Sequence, residues 1–194
     1  MNKLKALGKR VFIVPLVNLL ITLNIPPNLI TILSLFIAIF AFFAYKNGKF
    51  WLGGIILFFS SILDTFDGEI ARKTNKVTKF GGFLDSTIDR VNEFLVFLGL
   101  FAYYYHRFDY ALYWVVFALF GSLMVSYTRA RGEGLGISPQ VGVFERFVRV
   151  LFLIIGSLSG PKFMIYVLMI ITIGTFITSI QRIFYLFKNS KSVN

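Results

Sequence analysis

With 194 residues, 57% of them hydrophobic and only 15% charged, and a mean hydropathy of +0.76, the chain is too apolar for a water-soluble domain of its length. It has no cysteine and a single histidine, His106, which excludes disulfides, thiolate chemistry and any site built on paired histidines. The net charge of +11 does not argue for nucleic acid, because the basic residues lie between and beside apolar runs; membrane topology and anionic headgroups account for it.

Residues 1–24 mix Lys3, Lys5, Lys9 and Arg10 with Leu4, Leu7, Val11, Phe12, Val14, Leu16 and Val17 before reaching Pro26-Pro27. This predicts an amphipathic helix lying in the membrane interface and bent at Pro15. No small-residue cleavage site follows, so insertion is expected to use the mature helices. Six apolar segments come next, at about 28–45, 50–71, 83–105, 110–130, 145–160 and 162–187. A crossing takes roughly 20 residues, and the fifth segment reaches that only with part of the loop before it. His106 falls in a short aromatic loop and reads as an interfacial residue. The chain offers no repeat and no polar stretch that could form a second unit, so 25–194 is expected to be one all-α membrane domain.

Orientation follows from the basic residues. One side receives Lys3, Lys5, Lys9, Arg10, then Arg72, Lys73, Lys76, Lys79, then Arg129, Arg131, Arg146, Arg149, then Arg182, Lys188 and Lys191; the other receives only Lys46, Lys49, Arg107 and Lys162. Six transmembrane helices with both termini cytoplasmic, in the plasma membrane, satisfy this asymmetry. A seventh crossing by residues 1–24 would put the C-terminus on the wrong side.

Six of the nine acids stand within thirty residues: Asp64, Asp67, Glu69, Asp85, Asp89 and Glu93. Asp64 and Asp67 close the second segment, Asp85 and Asp89 open the third, and an antiparallel pair brings them to one membrane face. Residues three or four apart lie about 60° or 40° apart around a helix, so four carboxylates are expected to converge. Repulsion and desolvation make such a cluster costly without cations. Oxygen ligands without His or Cys suit Mg²⁺ or Mn²⁺, with Ca²⁺ after them, over softer metals, and a two-metal site of this kind holds phosphate esters. Gly68, Ala71 and Gly81 leave room for a ligand, and Arg72 can pair with a phosphate oxygen. Intramembrane ion pairing and a cation pathway are the competing readings of the same acids.

The segment Asp64-x-x-Asp67-Gly68-x-x-Ala71-Arg72, eight residues, then Gly81-x-x-x-Asp85-x-x-x-Asp89 resembles the signature of the CDP-alcohol phosphotransferases, with every specified position filled. The resemblance extends to Pro27, Asn28 and Thr31 before the first crossing. It implies a Mg²⁺- or Mn²⁺-dependent transfer of a phosphatidyl-type group from a CDP-lipid to an acceptor hydroxyl, with release of CMP. By position, Asp64, Asp67, Asp85 and Asp89 would hold metal, Asp89 would also act as the base, and Thr31, Gly68, Ala71, Arg72 and Gly81 would line the CDP-lipid site.

Downstream, Ser126, Arg129, Arg146 and Arg182 are similar to the acceptor-binding residues of the branch that makes phosphatidylinositol phosphate or its archaeal ether-lipid counterpart. The resemblance implies a phosphorylated acceptor, inositol phosphate, with glycerol 3-phosphate the alternative; Arg131 and Arg149 are secondary candidates. Glu145 is expected to orient Arg146, and Glu93 to pair with a basic residue. Expected partners are the CDP-lipid, the acceptor, membrane lipids and a second copy in a homodimer, with no nucleic acid. A small divalent-cation transporter and a binding-only scaffold are the rival classes.

Overall fold

Helix boundaries fall where the sequence places its breakers. A computed structural model describes residues 14–105 and 107–190, and seven helices lie among them. The first, α1 (Val14–Thr22), is followed by α2 (Pro27–Lys46), α3 (Phe50–Lys73), α4 (Lys79–Tyr104), α5 (Asp109–Gly134), α6 (Arg146–Ser159) and α7 (Pro161–Ser190). Pro27 and Pro161 open α2 and α7, where a missing N–H costs nothing. The α6–α7 turn is a single residue, Gly160, at φ 92°, a conformation that favours glycine. Thr78 caps α4 by accepting a hydrogen bond from the Gly81 N–H at 2.9 Å, which fixes where the helix carrying Asp85 and Asp89 begins.

Helices α2 to α7 coincide with the six apolar segments of the sequence. Four of them, α2, α3, α5 and α7, are long and apolar enough to cross a membrane. In α4 the stretch from Lys79 to Glu93 carries Lys79, Asp85, Asp89, Arg90 and Glu93, and α6 has only 14 residues, about 21 Å of helix. Length and composition thus single out four candidate spans among the six helices expected to cross. The first half of the expected interfacial helix, residues 1–13, and His106 lie outside the described residues. From Val14 onward that segment is helical, with Pro15 at its start; a bend at Pro15 involves residues that lie outside those described.

The helices close into a ring: α2 packs on α3 and α4, α3 on α6, α6 on α7, α7 on α5, and α5 back on α4. Small residues set the spacing. A Cβ at Gly99 would lie 2.8 Å from the Phe42 carbonyl, and one at Gly54 only 2.6 Å from the Ser157 Cβ, so α4 and α6 approach their neighbours at backbone distance. Short loops make sequential helices antiparallel, and the bundle has two ends. The far end holds the core, with Tyr45, Phe50, Phe97, Leu100, Tyr104 and Leu168 all buried. Its phenols are satisfied: Tyr45 Oη lies 2.7 Å from Ser157 Oγ, and Tyr104 donates to the Pro161 carbonyl at 2.6 Å. At the near end α1 docks through Val17 onto Ile30, Phe66 and Ile70, and Lys73 donates to Asn18 Oδ1 at 2.9 Å. Large apolar side chains such as Phe36, Phe40, Phe117 and Phe184 face outward, as lipid-facing positions do.

Candidate metal centre and its two flanking cavities

The near end gathers the C-terminal turns of α3 with the N-terminal turns of α4. One oxygen each of Asp64, Asp85 and Asp89 lie within 4.8 Å of one another, all half-buried. Asp64 Oδ1 and Asp89 Oδ1 are buried without a hydrogen-bond donor, a costly state for a carboxylate that a cation would relieve. The donor set is all oxygen, and these residues fit a hard divalent ion.

Asp67 does not join the other three. It is 6% exposed, and its Oδ2 accepts from Thr31 Oγ1 at 2.6 Å while Oδ1 accepts from the Gly68 N–H. Three residues along the helix from Asp64, it is turned toward α2 by about 60°. The expected four-way convergence is therefore a three-acid cluster with a fourth carboxylate alongside. Thr31 is held in turn: Ser34 Oγ donates to its carbonyl at 2.7 Å, and Asn92 Nδ2 donates to Ser34 Oγ at 3.0 Å. A buried polar chain thereby joins Asp67's partner to the helix that carries Asp85 and Asp89.

Two cavities flank the acids. The first, about 310 Å³, is lined by Asp67 and Asp85 and by all five residues expected for the CDP-lipid: Thr31, Gly68, Ala71, Arg72 and Gly81. A Cβ at Gly81 would sit 3.0 Å from Thr78 Oγ1 and 3.3 Å from Asn28 Oδ1, so a side chain there would crowd this wall. Arg72 is exposed and paired with Glu69 at 2.9 Å. The second cavity, about 370 Å³, is lined by Asp85 and Asp89 and by the four expected acceptor residues Ser126, Arg129, Arg146 and Arg182. Asp85 borders both cavities, so the acid cluster is the wall between them.

The arginines of the second cavity differ in how they are held. Arg182 is 2% exposed and donates to the Val141 and Val125 carbonyls at 3.0 and 2.6 Å. Glu145 pairs with Arg182 at 3.4 Å, not with its neighbour Arg146 as the sequence suggested. Its side chain leaves the helix start of α6 in the direction of α7. Arg129 pairs with Glu133 at 2.9 Å on an exposed surface. Arg149, 1% exposed, is bound by Glu93 through two nitrogens at 2.9 and 3.2 Å and donates to the Phe144 carbonyl at 3.0 Å. That pair meets the expectation for Glu93. Arg146 bridges Asp64 and Asp89, its Nη2 lying 2.7 Å from Asp89 Oδ1 without its N–H aimed at that oxygen.

Sequence reasoning passed over Arg90, which lines the second cavity, donates to Ser126 Oγ and lies 3.6 Å from Asp89. Its signal was present, a cation inside an apolar segment and next to a motif acid. Ser34 and Asn92 gave none, since single polar residues in apolar helices are common.

Comparison with known proteins agrees with this geometry. The sequence model of the CDP-alcohol phosphatidyltransferases matches residues 24–186. The chain is 36% identical to the archaetidylinositol phosphate synthase of Methanothermobacter thermautotrophicus over 171 residues, 86% of each protein. It is 38% identical to the enzyme of that name from Pyrococcus horikoshii over 167 residues, 85% of each. Its fold superposes on crystal structures of Mycobacterium tuberculosis phosphatidylinositol phosphate synthase at 26% identity. With CDP-DAG bound the TM-score is 0.82, covering 89% of this chain and 92% of that one; with manganese and citrate it is 0.83, covering 89% and 88%. An acid cluster between a glycine-lined and an arginine-lined cavity, reached by a match over most of the chain, makes this protein a member of the CDP-alcohol phosphatidyltransferase family.

Proposed function

We propose that the chain transfers a phosphatidyl-type group, diacyl or diether glycerol phosphate, from a CDP-lipid to a hydroxyl of inositol phosphate, releasing CMP. The observation that carries this reading is the shared wall: Asp85 borders both cavities, so a donor in one and an acceptor in the other meet at the acids. Six crossings, with residues 1–24 in the interface, both termini and the site cytoplasmic, accord with the charge bias and with the near end being the basic end. Relatives named archaetidylinositol phosphate synthase support an inositol phosphate acceptor.

Asp64, Asp67, Asp85 and Asp89 would hold Mg²⁺ or Mn²⁺, which when bound supplies positive charge to the pyrophosphate and to the departing CMP. Thr31 orients Asp67 through its hydroxyl. Gly68, Ala71 and Gly81 leave space for the nucleotide, and Arg72 pairs with a pyrophosphate oxygen. In the second cavity Ser126, Arg129, Arg146 and Arg182 receive the acceptor's phosphate and aim its hydroxyl at the acid wall. An Asp89 carboxylate oxygen takes the hydroxyl proton. The acceptor oxygen then bonds to the lipid-linked phosphorus as its bond to the oxygen bridging to CMP breaks.

The test is CMP release by purified protein in detergent with a CDP-lipid and Mg²⁺, comparing inositol 1-phosphate, glycerol 3-phosphate, serine and free inositol. Release driven by inositol phosphate alone and lost in Asp89→Asn supports the reading. Preference for glycerol 3-phosphate would keep the reaction and overturn the acceptor. Metal flux without CMP release under any acceptor would overturn both.

A further inference from the structure

Arg146 touches the wrong half of the site for a residue that only binds an anion. Its side chain lines the arginine-rich cavity with Ser126 and Arg129, yet both of its ion pairs run to Asp64 and Asp89. Those two acids, with Asp85, form the candidate metal cluster. The N–H given to Asp64 and the charge held against Asp89 keep the guanidinium at the acids, so it grips an anion in the cavity with its full fork only by leaving them.

The neighbouring arginines are held differently. Arg149 is anchored by Glu93 and the Phe144 carbonyl, and Arg182 by two backbone carbonyls and Glu145, each with N–H groups to spare. Arg90 donates to Ser126 and lies 3.6 Å from Asp89 and 3.7 Å from Glu93, touching one acid of the cluster rather than two. Among the described residues, Arg146 is the cation that bridges two acids of the cluster. It remains 29% exposed, so the side chain has room to move, unlike the 1% and 2% of Arg149 and Arg182.

We propose that Arg146 is an exchangeable counter-ion that couples the two ligands of the site: a divalent cation taking the carboxylates displaces it, and a tetrahedral dianion in the second cavity receives it. The carboxylates prefer the higher charge density of a divalent ion, and a released guanidinium finds its best partner in a dianion it can meet with two N–H groups. Cation and anion therefore bind with positive cooperativity, and linkage requires the coupling to be equal in both directions. The consequence for the reaction is order: the acceptor's phosphate is gripped once the metal is in place, and Asp89 is then free of its guanidinium. This inference rests on the metal reading of the acid cluster but not on which acceptor is used.

The experiment is calorimetric Mn²⁺ binding to the purified full-length chain in detergent, without substrates, in the presence and absence of sulfate, a tetrahedral dianion that chelates Mn²⁺ weakly. Sulfate should tighten Mn²⁺ binding by about five-fold or more, the range of ordinary allosteric coupling. Mn²⁺ should tighten sulfate binding by the same factor. Arg146→Gln should bind Mn²⁺ more tightly than the unmodified chain without sulfate and should lose the coupling. Arg146→Lys, which keeps the charge but lacks the planar fork, should fall between, and Arg129→Gln, which removes a charge from the same cavity without touching the acids, should leave Mn²⁺ affinity in the absence of sulfate within about two-fold. Equal or weaker Mn²⁺ binding in a monodisperse Arg146→Gln protein, or an equal tightening in Arg129→Gln, overturns the exchange. No Mn²⁺ binding by the unmodified chain, with Asp85→Asn indistinguishable from it, overturns the metal reading together with this proposal.

Discussion

The two ends of the bundle solve opposite problems with the same helices. At the far end Tyr45, Phe97, Leu100, Tyr104 and Leu168 are at 0% exposure, and each buried phenol has its partner. At the near end two cavities open, and buried carboxylate oxygens are left without donors. The far end is packed for its own sake; the near end is left incomplete so that a ligand can complete it. Stability and chemistry are thus separated along the length of each helix, and substitutions at the two ends should have different signatures.

The largest effect tests the near end. Asp85→Asn, on the wall between the cavities, should lower CMP release by about 10³-fold, roughly 4 kcal/mol of barrier, with thermal stability unchanged or raised. A comparable fall in thermal midpoint would break the comparison by making Asp85 structural. Next comes the far end: Leu168→Ala should cost about 3 kcal/mol of stability, read as a shorter half-life on heating in detergent. Turnover per folded molecule should persist. Thr31→Val then probes the support of the near end, and removing the donor to Asp67 should weaken Mn²⁺ binding by about ten-fold while leaving the half-life nearly intact. The smallest effect is Tyr104→Phe, which deprives the Pro161 carbonyl of its donor and should cost about 1 kcal/mol of stability, with no change in Mn²⁺ affinity.

The far end and the helix order were legible in the sequence because apolar runs, Pro27, Pro161 and Gly160 mark boundaries locally. The acid cluster was legible because helical spacing on two antiparallel segments fixes direction. What stayed hidden was set by packing between residues distant in sequence. Asp67 turns from the cluster toward Thr31, 36 residues away. Glu145 ignores adjacent Arg146 and reaches Arg182, 37 residues away. No local pattern encodes either choice. The crossing status of α4 and α6 was obscured for a different reason: the residues that serve the site are the ones that make α4 polar and leave α6 short.

That shortness has a geometric consequence. Helices α6 and α7 turn about one residue, Gly160, and so start level with each other at the far end. With 14 residues against 30, α6 runs about 21 Å beside a partner of about 45 Å. The rest of that stretch is taken by residues 135–145, which have no helix of their own and are held to α7 by Thr178 and Arg182. One wall of the ring is thus built low, and the near end stands open where its missing turns would have been.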